Sequence, residues 1–277
     1  MNLLKAYEFG QKELSLANIE DAATDAWYLL EFVTGVSRQA YFMNAQVELE
    51  KEQESTYRTY IEMRKSHIPL QHITGEQEFM GFTFQVNEHV LVPRQDTEVL
   101  VESVLDVLVS DRKVLDMCTG SGCILISLMK LGNEVQGTGV DISTKALEVA
   151  KQNAKNLGVT PTFLHSDLFE NVSGRYDIIV SNPPYIRTKV IEELAEEVKL
   201  HDPMIALDGK EDGLYFYRKI IAESPNYLEK GGSLYFEIGH DQGEDVKTLM
   251  IERGFSDVTV KKDLAGLDRV VFGVYNQ

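Results

Sequence analysis

The chain lacks any run of about 18 apolar residues, so no segment reads as a membrane-spanning helix. It also does not open like a secretory leader. Met1-Asn2-Leu3-Leu4-Lys5-Ala6-Tyr7-Glu8 puts an acid where such a leader keeps its apolar core. These absences set the expectation of a cytoplasmic location. Cysteine is scarce: Cys118 and Cys123 are the only two, too few for a disulfide framework, and no Cys/His cluster has zinc-ligand spacing. Both thiols are expected to be reduced and packed, and no metal is expected. Basic charge is short as well, with 27 Lys and Arg against 44 Asp and Glu, a formal net charge of −17. Proteins that work along phosphate backbones carry a basic face or stripe, and none is visible, which argues against a nucleic-acid substrate.

What is present reads as an ordinary globular chain: 277 residues, 43% hydrophobic and 26% charged. That length suits one large domain, or a large and a small one. The first 75 or so residues have apolar positions at helical spacing. Ala22, Ala26, Leu30 and Val33 share one face, and Gly35 is a plausible stop. A second helix is expected from Glu48 to about Ser66, with Tyr57, Tyr60 and Ile61 inward, before Ile68-Pro69-Leu70 breaks the pattern. Trp27, Tyr41 and Phe42 are read as core rather than as a docking surface. Over 76–92 the period changes. Phe79, Phe82, Phe84 and Val86 around Met80-Gly81 predict a β-hairpin, and Val90-Leu91-Val92 a further extended piece. "VPRQDTEVLVESVLDVL" then opens a helix that Thr97 or Asp96 is expected to cap. From Lys113 on, strands expected at 113–117, 135–140, 162–166, 177–181, 233–238, 256–260 and 269–275 alternate with helical stretches. Such alternation predicts an α/β domain with a mostly parallel sheet, whose ligands bind at the carboxyl ends of the strands.

The first of those strands, "KVLDM", runs into "CTGSGCILISLMK". Gly120 and Gly122 fall in a strand-to-helix turn, where glycine permits positive φ and close backbone approach. No Gly-Lys-Ser/Thr follows, so the turn is not a P-loop. The next strand ends in Asp141, about 20 residues on, where an acid can bind the two hydroxyls of a ribose. Dinucleotide enzymes and S-adenosylmethionine (SAM) methyltransferases share that spacing. The third glycine of the pyrophosphate finger is missing, which leans toward SAM, a ligand without phosphate. Asp116 either meets the cationic methionine portion or caps the loop's amides. Asp167 ends the third strand, within reach of an adenine amine.

The fourth strand ends in "SNPPY". Neither Pro183 nor Pro184 has a backbone N–H, and both fix φ, so the turn is rigid and rich in acceptors. A planar, conjugated –NH₂ group has a delocalised lone pair. It can attack a methyl only if its two hydrogens are held and the lone pair is aimed. Asn182 Oδ1 and the Pro183 carbonyl are suited to accept one hydrogen each, an interaction that acts mainly in the transition state. Tyr185 is expected to cover the planar group. A rigid turn with a buried asparagine is the alternative.

Asn182-Pro183-Pro184-Tyr185 together with Asp116-Met117-Cys118-Thr119-Gly120-Ser121-Gly122 resembles the SAM-dependent methyltransferases of planar nitrogens. "IPLQHITG", "FMGFTFQVNEHVLVPRQDTE", "EDGLYFYR", "GGSLYFEIGHDQG" and "DLAGLDR" extend the likeness across nearly the whole chain, to the HemK/PrmC family. The resemblance implies a seven-stranded Rossmann-like methyltransferase domain over 93–277, a helical substrate-recognition domain over 1–75, and a β-hairpin linker over 76–92. It implies methylation of the glutamine side-chain amide in the Gly-Gly-Gln loop of peptide chain release factors, with S-adenosylhomocysteine as second product, by a monomer. Carried over by position, Cys118, Thr119, Gly120, Ser121 and Gly122 wrap the methionine part, Asp141 holds the ribose, Asp167 and Leu168 border the adenine, Asn182 also touches SAM, and Asn182, Pro183, Pro184 and Tyr185 grip the glutamine. Cys118 stands where the family usually has glycine, Leu168 where an aromatic is common, Gln95 for a second proline, and His201 for an acid. A methyltransferase acting on a ribosomal protein's glutamine, one acting on adenine in a nucleic acid, and a non-catalytic SAM-binding protein are the other readings of the same residues.

Overall fold

The computed structural model describes residues 1–277. The chain forms two compact units, 1–75 with 195–201, and 76–194 with 202–277. The first holds α1 (Leu3–Leu16), α2 (Ala22–Thr34), α3 (Arg38–Asn44), α4 (Lys51–Lys65) and α5 (Leu70–Thr74). Local chemistry sets their ends. Asn2 Oδ1 accepts from the Lys5 N–H at 2.9 Å and caps α1. Gly35, at φ +68°, stops α2 as its position predicted. Glu50 and Gln53 form a capping box that starts α4 at Lys51 rather than at Glu48. Ala26, Leu30, Tyr57 and Ile61 are buried together. Trp27 and Tyr41 pack edge to face at 5.1 Å, but Phe42 is 74% exposed and is not core.

The second unit begins with the hairpin β1 (Glu76–Phe79) and β2 (Phe82–Gln85), turning at Met80-Gly81. Val90-Leu91-Val92, read from the sequence as a further extended piece, pairs with no strand. α6 (Gln95–Leu105) starts two residues before Thr97, so Thr97 lies inside its first turn and caps nothing. Then come β3 (Lys113–Met117), α7 (Cys123–Leu131), β4 (Gln136–Asp141), α8 (Thr144–Leu157), β5 (Thr162–His165) and β6 (Tyr176–Ser181). After Leu194 the chain leaves this unit. Its α9 (Glu196–His201) belongs to the helical unit, which the expected boundary at 93–277 did not foresee. The sheet unit resumes with α10 (Met204–Leu207), α11 (Tyr215–Glu223), β7 (Leu228–Glu237), α12 (Gly243–Arg253), β8 (Phe255–Lys262) and β9 (Asp268–Tyr275).

The seven strands run in the order β5-β4-β3-β6-β7-β9-β8. Those from β5 to β7 are parallel, and β9 runs antiparallel to both of its neighbours. The chain steps outward from β3 to β4 to β5, then returns to the other side of β3 as β6. That reversal opens a crevice between the carboxyl ends of β3 and β6. Apolar side chains cover both sheet faces, with Leu115, Ile179 and Phe236 on one and Val114, Ile178 and Tyr235 on the other.

Candidate active site

A cavity of about 360 Å³ occupies that crevice. Residues at or just past the carboxyl ends of the parallel strands make its floor: Cys118 to Ser121 after β3, Asp141 at the end of β4, Asp167 and Leu168 after β5, and Asn182 and Pro184 after β6. Thus Asp141, Asp167 and Asn182, 41 positions apart from first to last, meet in one place, as parallel strands require. Gly122, Pro183 and Tyr185 do not line it.

The turn after β3 is left-handed at three of five residues: Cys118 at φ +64°, Gly120 at +54° and Gly122 at +80°. Cys118 therefore holds a conformation that glycine adopts more cheaply. A Cβ on Gly120 would meet nothing within 4 Å, so the backbone there faces open space. A Cβ on Gly122 would lie 2.9 Å from Ile126 Cδ1 and 3.2 Å from Ala150 Cβ, because this glycine lets α7 close on α8. Asp141 braces the turn. Its Oδ2 accepts from the Gly120 N–H at 2.9 Å and its Oδ1 from the Ser143 N–H at 2.8 Å. Burial pushes its carboxyl pKa up, and those N–H groups oppose the rise. Each oxygen still has a second lone pair for a hydroxyl.

Asp116, in β3 beneath the turn, is fully buried. Its Oδ2 accepts from the Thr119 hydroxyl at 2.6 Å, and its Oδ1 has no hydrogen bond of ordinary geometry. Burial pushes its pKa up to about 7, although the Thr119 hydroxyl and the Leu125 N–H favour the charged form. Asp116 thus braces the turn through Thr119 and keeps one buried oxygen unpaired beneath the cavity floor. Leu168, at φ +47°, turns the chain after β5, and Ser166 Oγ donates to its carbonyl at 2.9 Å.

Asn182 follows β6 directly. Its Nδ2 donates to Thr97 Oγ1 at 3.4 Å, and neither its Oδ1 nor the Pro183 carbonyl accepts a hydrogen bond. Tyr185 was expected to cover a planar group. Its hydroxyl donates to Glu237 Oε1 at 3.2 Å, and its ring packs against the sheet core. The Gln242 amide, donating to the Tyr185 carbonyl at 3.1 Å, holds the turn from the far side. The remaining wall comes from 89–94, Thr97 and the 203–216 stretch with Lys210 and Phe216. The sequence assigned none of these a place in the site. The only signal was that "FMGFTFQVNEHVLVPRQDTE" and "EDGLYFYR" carried the family resemblance.

A methyltransferase from Pyrococcus furiosus shares the fold at 14% identity and a TM-score of 0.55, covering 82% of this chain and 100% of that one. So does the T. thermophilus 16S rRNA N2 G1207 methyltransferase, solved with AdoMet and guanosine, at 20% identity and a TM-score of 0.54, over 73% of this chain and 50% of that one. Residues 94–201 match the methyltransferase small domain, and 5–75 the PrmC N-terminal domain. Sheet, crevice and domain match define a methyltransferase of the Rossmann-like class. The release factor glutamine methyltransferase of Caulobacter vibrioides is 39% identical over 281 residues, covering 100% of this chain and 97% of that protein. That of Clostridium acetobutylicum is 40% identical over 279 residues, covering 98% and 96%. The chain belongs to the release factor glutamine methyltransferase family.

Proposed function

We propose that this protein methylates the side-chain amide nitrogen of the glutamine in the Gly-Gly-Gln loop of peptide chain release factors, with SAM as donor, and so supports translation termination. The observation that carries the chemistry is Asn182, whose Oδ1 accepts no hydrogen bond and which lines the single cavity where the parallel strands end; the Pro183 carbonyl, next in the chain, is likewise unpaired. The substrate is inferred from relatives alike along the whole chain. We assign the helical unit to recognition of the release factor, and read the enzyme as a cytoplasmic monomer.

The cavity's residues fit SAM. The space over Gly120 is open and Asp141 keeps free lone pairs, while Asp116, with Oδ1 unpaired, lies buried beneath the cavity floor rather than in its lining. Cys118 to Gly122 would hold the methionine part, Asp141 the ribose, and Asp167 with Leu168 the adenine. When bound, SAM supplies a methyl on a positively charged sulfur; its C–S bond breaks as the N–C bond forms, S-adenosylhomocysteine leaves, and the amide gives one proton to solvent. Asn182 and Pro183 hold the two amide hydrogens, which turns the nitrogen lone pair out of conjugation and toward the methyl. These bonds strengthen as the nitrogen gains positive charge, so they favour the transition state over the ground state. No base has to act first, because the nitrogen becomes strongly acidic only once methylated.

The test is methyl transfer from labelled SAM to a purified release factor, to the same factor with its loop glutamine changed to alanine, to a ribosomal protein pool and to duplex DNA. Label confined to the intact factor is the expected result. Label in the ribosomal pool would move the substrate, label in DNA would overturn the protein-glutamine reading, and no label with SAM bound would overturn catalysis.

A further inference from the structure

Behind the acceptor turn lies a carboxylate that lines no cavity. Glu237, the last residue of β7, is 2% exposed. Its Oε1 accepts from the Tyr185 hydroxyl, and its Oε2 is buried without a hydrogen bond of ordinary geometry. Burial pushes its pKa up; the Thr97 hydroxyl, then the Arg269 guanidinium, then the Tyr185 hydroxyl favour its charged form. Thr97 is 3% exposed, lines the cavity, and accepts from Asn182 Nδ2. Glu237, Thr97 and Asn182 thus form one line from the sheet core to the cavity. The Asn182–Thr97 contact is long at 3.4 Å, as catalytic hydrogen bonds often are before substrate binds.

The donor inventory along this line has only one consistent direction. A carboxylate only accepts; a hydroxyl has one hydrogen and two lone pairs; an asparagine amide has donors at one end and an acceptor at the other. If the Thr97 hydrogen turns to Glu237, only lone pairs remain for Asn182. The amino end of Asn182 must then face Thr97, which leaves Oδ1 for the cavity. If the Thr97 hydrogen turned to Asn182 instead, Oδ1 would be consumed. An –NH₂ group would then face the substrate's own –NH₂, donor against donor. We propose that Glu237, acting through Thr97, is the positioning residue that sets which end of the Asn182 amide faces the methyl acceptor. On the same carboxylate, the Tyr185 hydroxyl anchors the other end of the Asn-Pro-Pro-Tyr turn. This rests on the reading of Asn182 as acceptor for a substrate –NH₂ group.

The experiment is steady-state kinetics of the full chain with a purified release factor and labelled SAM, with SAM affinity by calorimetry and thermal melting alongside. Thr97→Val keeps the shape and removes the hydroxyl. It is expected to lower kcat about 10-fold or more, the scale of one hydrogen bond made in the transition state. SAM affinity should stay within about twofold, and Thr97→Ser should recover most of the loss. Glu237→Gln, which offers Thr97 a donor, should lower kcat in the same direction. The deciding readout is a double-mutant cycle: in an Asn182→Ala background, Thr97→Val should cost nothing further, because its effect runs through Asn182. A purely structural threonine would lower the melting temperature and act equally in both backgrounds. Wild-type kcat for Thr97→Val, or losses that add, would overturn the positioning role while a defective Asn182→Ala left the acceptor reading standing. Wild-type turnover in Asn182→Ala would overturn the acceptor reading itself, and the positioning role with it.

Discussion

Asn182 sits one residue beyond β6, where the ladder ends and a side chain is free to turn into the crevice. Its role predicts a specific kinetic pattern. Asn182→Ala should lower kcat by about 10²-fold, the loss seen when one preorganised donor or acceptor is removed from a transition state. SAM affinity should be nearly unchanged by calorimetry, because Thr97 and the glycine turn remain. Asp141 predicts the converse. Its oxygens brace Gly120 and Ser143 and leave lone pairs for a ribose, so Asp141→Ala should weaken SAM binding by about 10-fold or more. An Asp141→Ala enzyme with unchanged SAM affinity would refute the ribose assignment. At this scale the sequence was legible where chemistry depends on residue type and strand end: Asp141, Asp167 and Asn182 meet as expected. Thr97 and Glu237 were not legible, because their meaning lies in contacts between residues far apart in the chain.

At the scale of elements, the β3-to-α7 turn and the α2–α4 packing carry the sharpest expectations. Gly122 is left-handed and pressed between Ile126 and Ala150. Gly122→Ala should therefore destabilise the protein by about 2 kcal/mol through φ strain alone, and further through the clash, seen as a lower denaturation midpoint. In the helical unit, the buried Arg64 guanidinium lies between Asp25 at 2.6 Å and Glu197 at 2.7 Å. It ties α4 to α2 and to α9. Burial already pushes the Asp25 carboxyl pKa up against that guanidinium. Removing the guanidinium leaves Asp25 buried without its cation. Arg64→Ala is expected to cost about 3 kcal/mol, measured by denaturant unfolding. Periodicity foresaw the packing of α2 with α4, since Ala26, Leu30, Tyr57 and Ile61 all point inward. It did not foresee α9, whose seam with α4 rests on charged side chains that carry no apolar period.

For the whole molecule, buried acids set the response to pH. The folded chain keeps the Asp116 proton up to about pH 7, whereas the unfolded chain releases it near 3.8. Between those values the folded state binds more protons, so this contribution is full at low pH and is lost as pH rises toward 7. Burial also raises the pKa values of Asp25, Asp141 and Glu237, and these act in the same direction. The ligand-free protein should therefore lose thermal stability from roughly pH 4 to pH 7, and Asp116→Asn should flatten that decline. Melting curves that fall equally for both proteins would place the Asp116 titration elsewhere. The net charge of −17 adds self-repulsion as the acids ionise.

The sequence by itself determined the alternation of strands and helices from Lys113 on, the hairpin at Met80-Gly81, the stop at Gly35, and the residue types that end the parallel strands. Each of these is a local matter of period, φ preference or side-chain chemistry over a few neighbouring residues. Only the tertiary structure decided that the Val90-Leu91-Val92 piece walls a cavity. The same is true of residues 195–201, which rejoin the helical unit, and of Tyr185, which turns to a buried glutamate. Those outcomes depend on which surfaces and donors remain unpaired once the sheet has closed, and burial and hydrogen bonding between distant segments settle them.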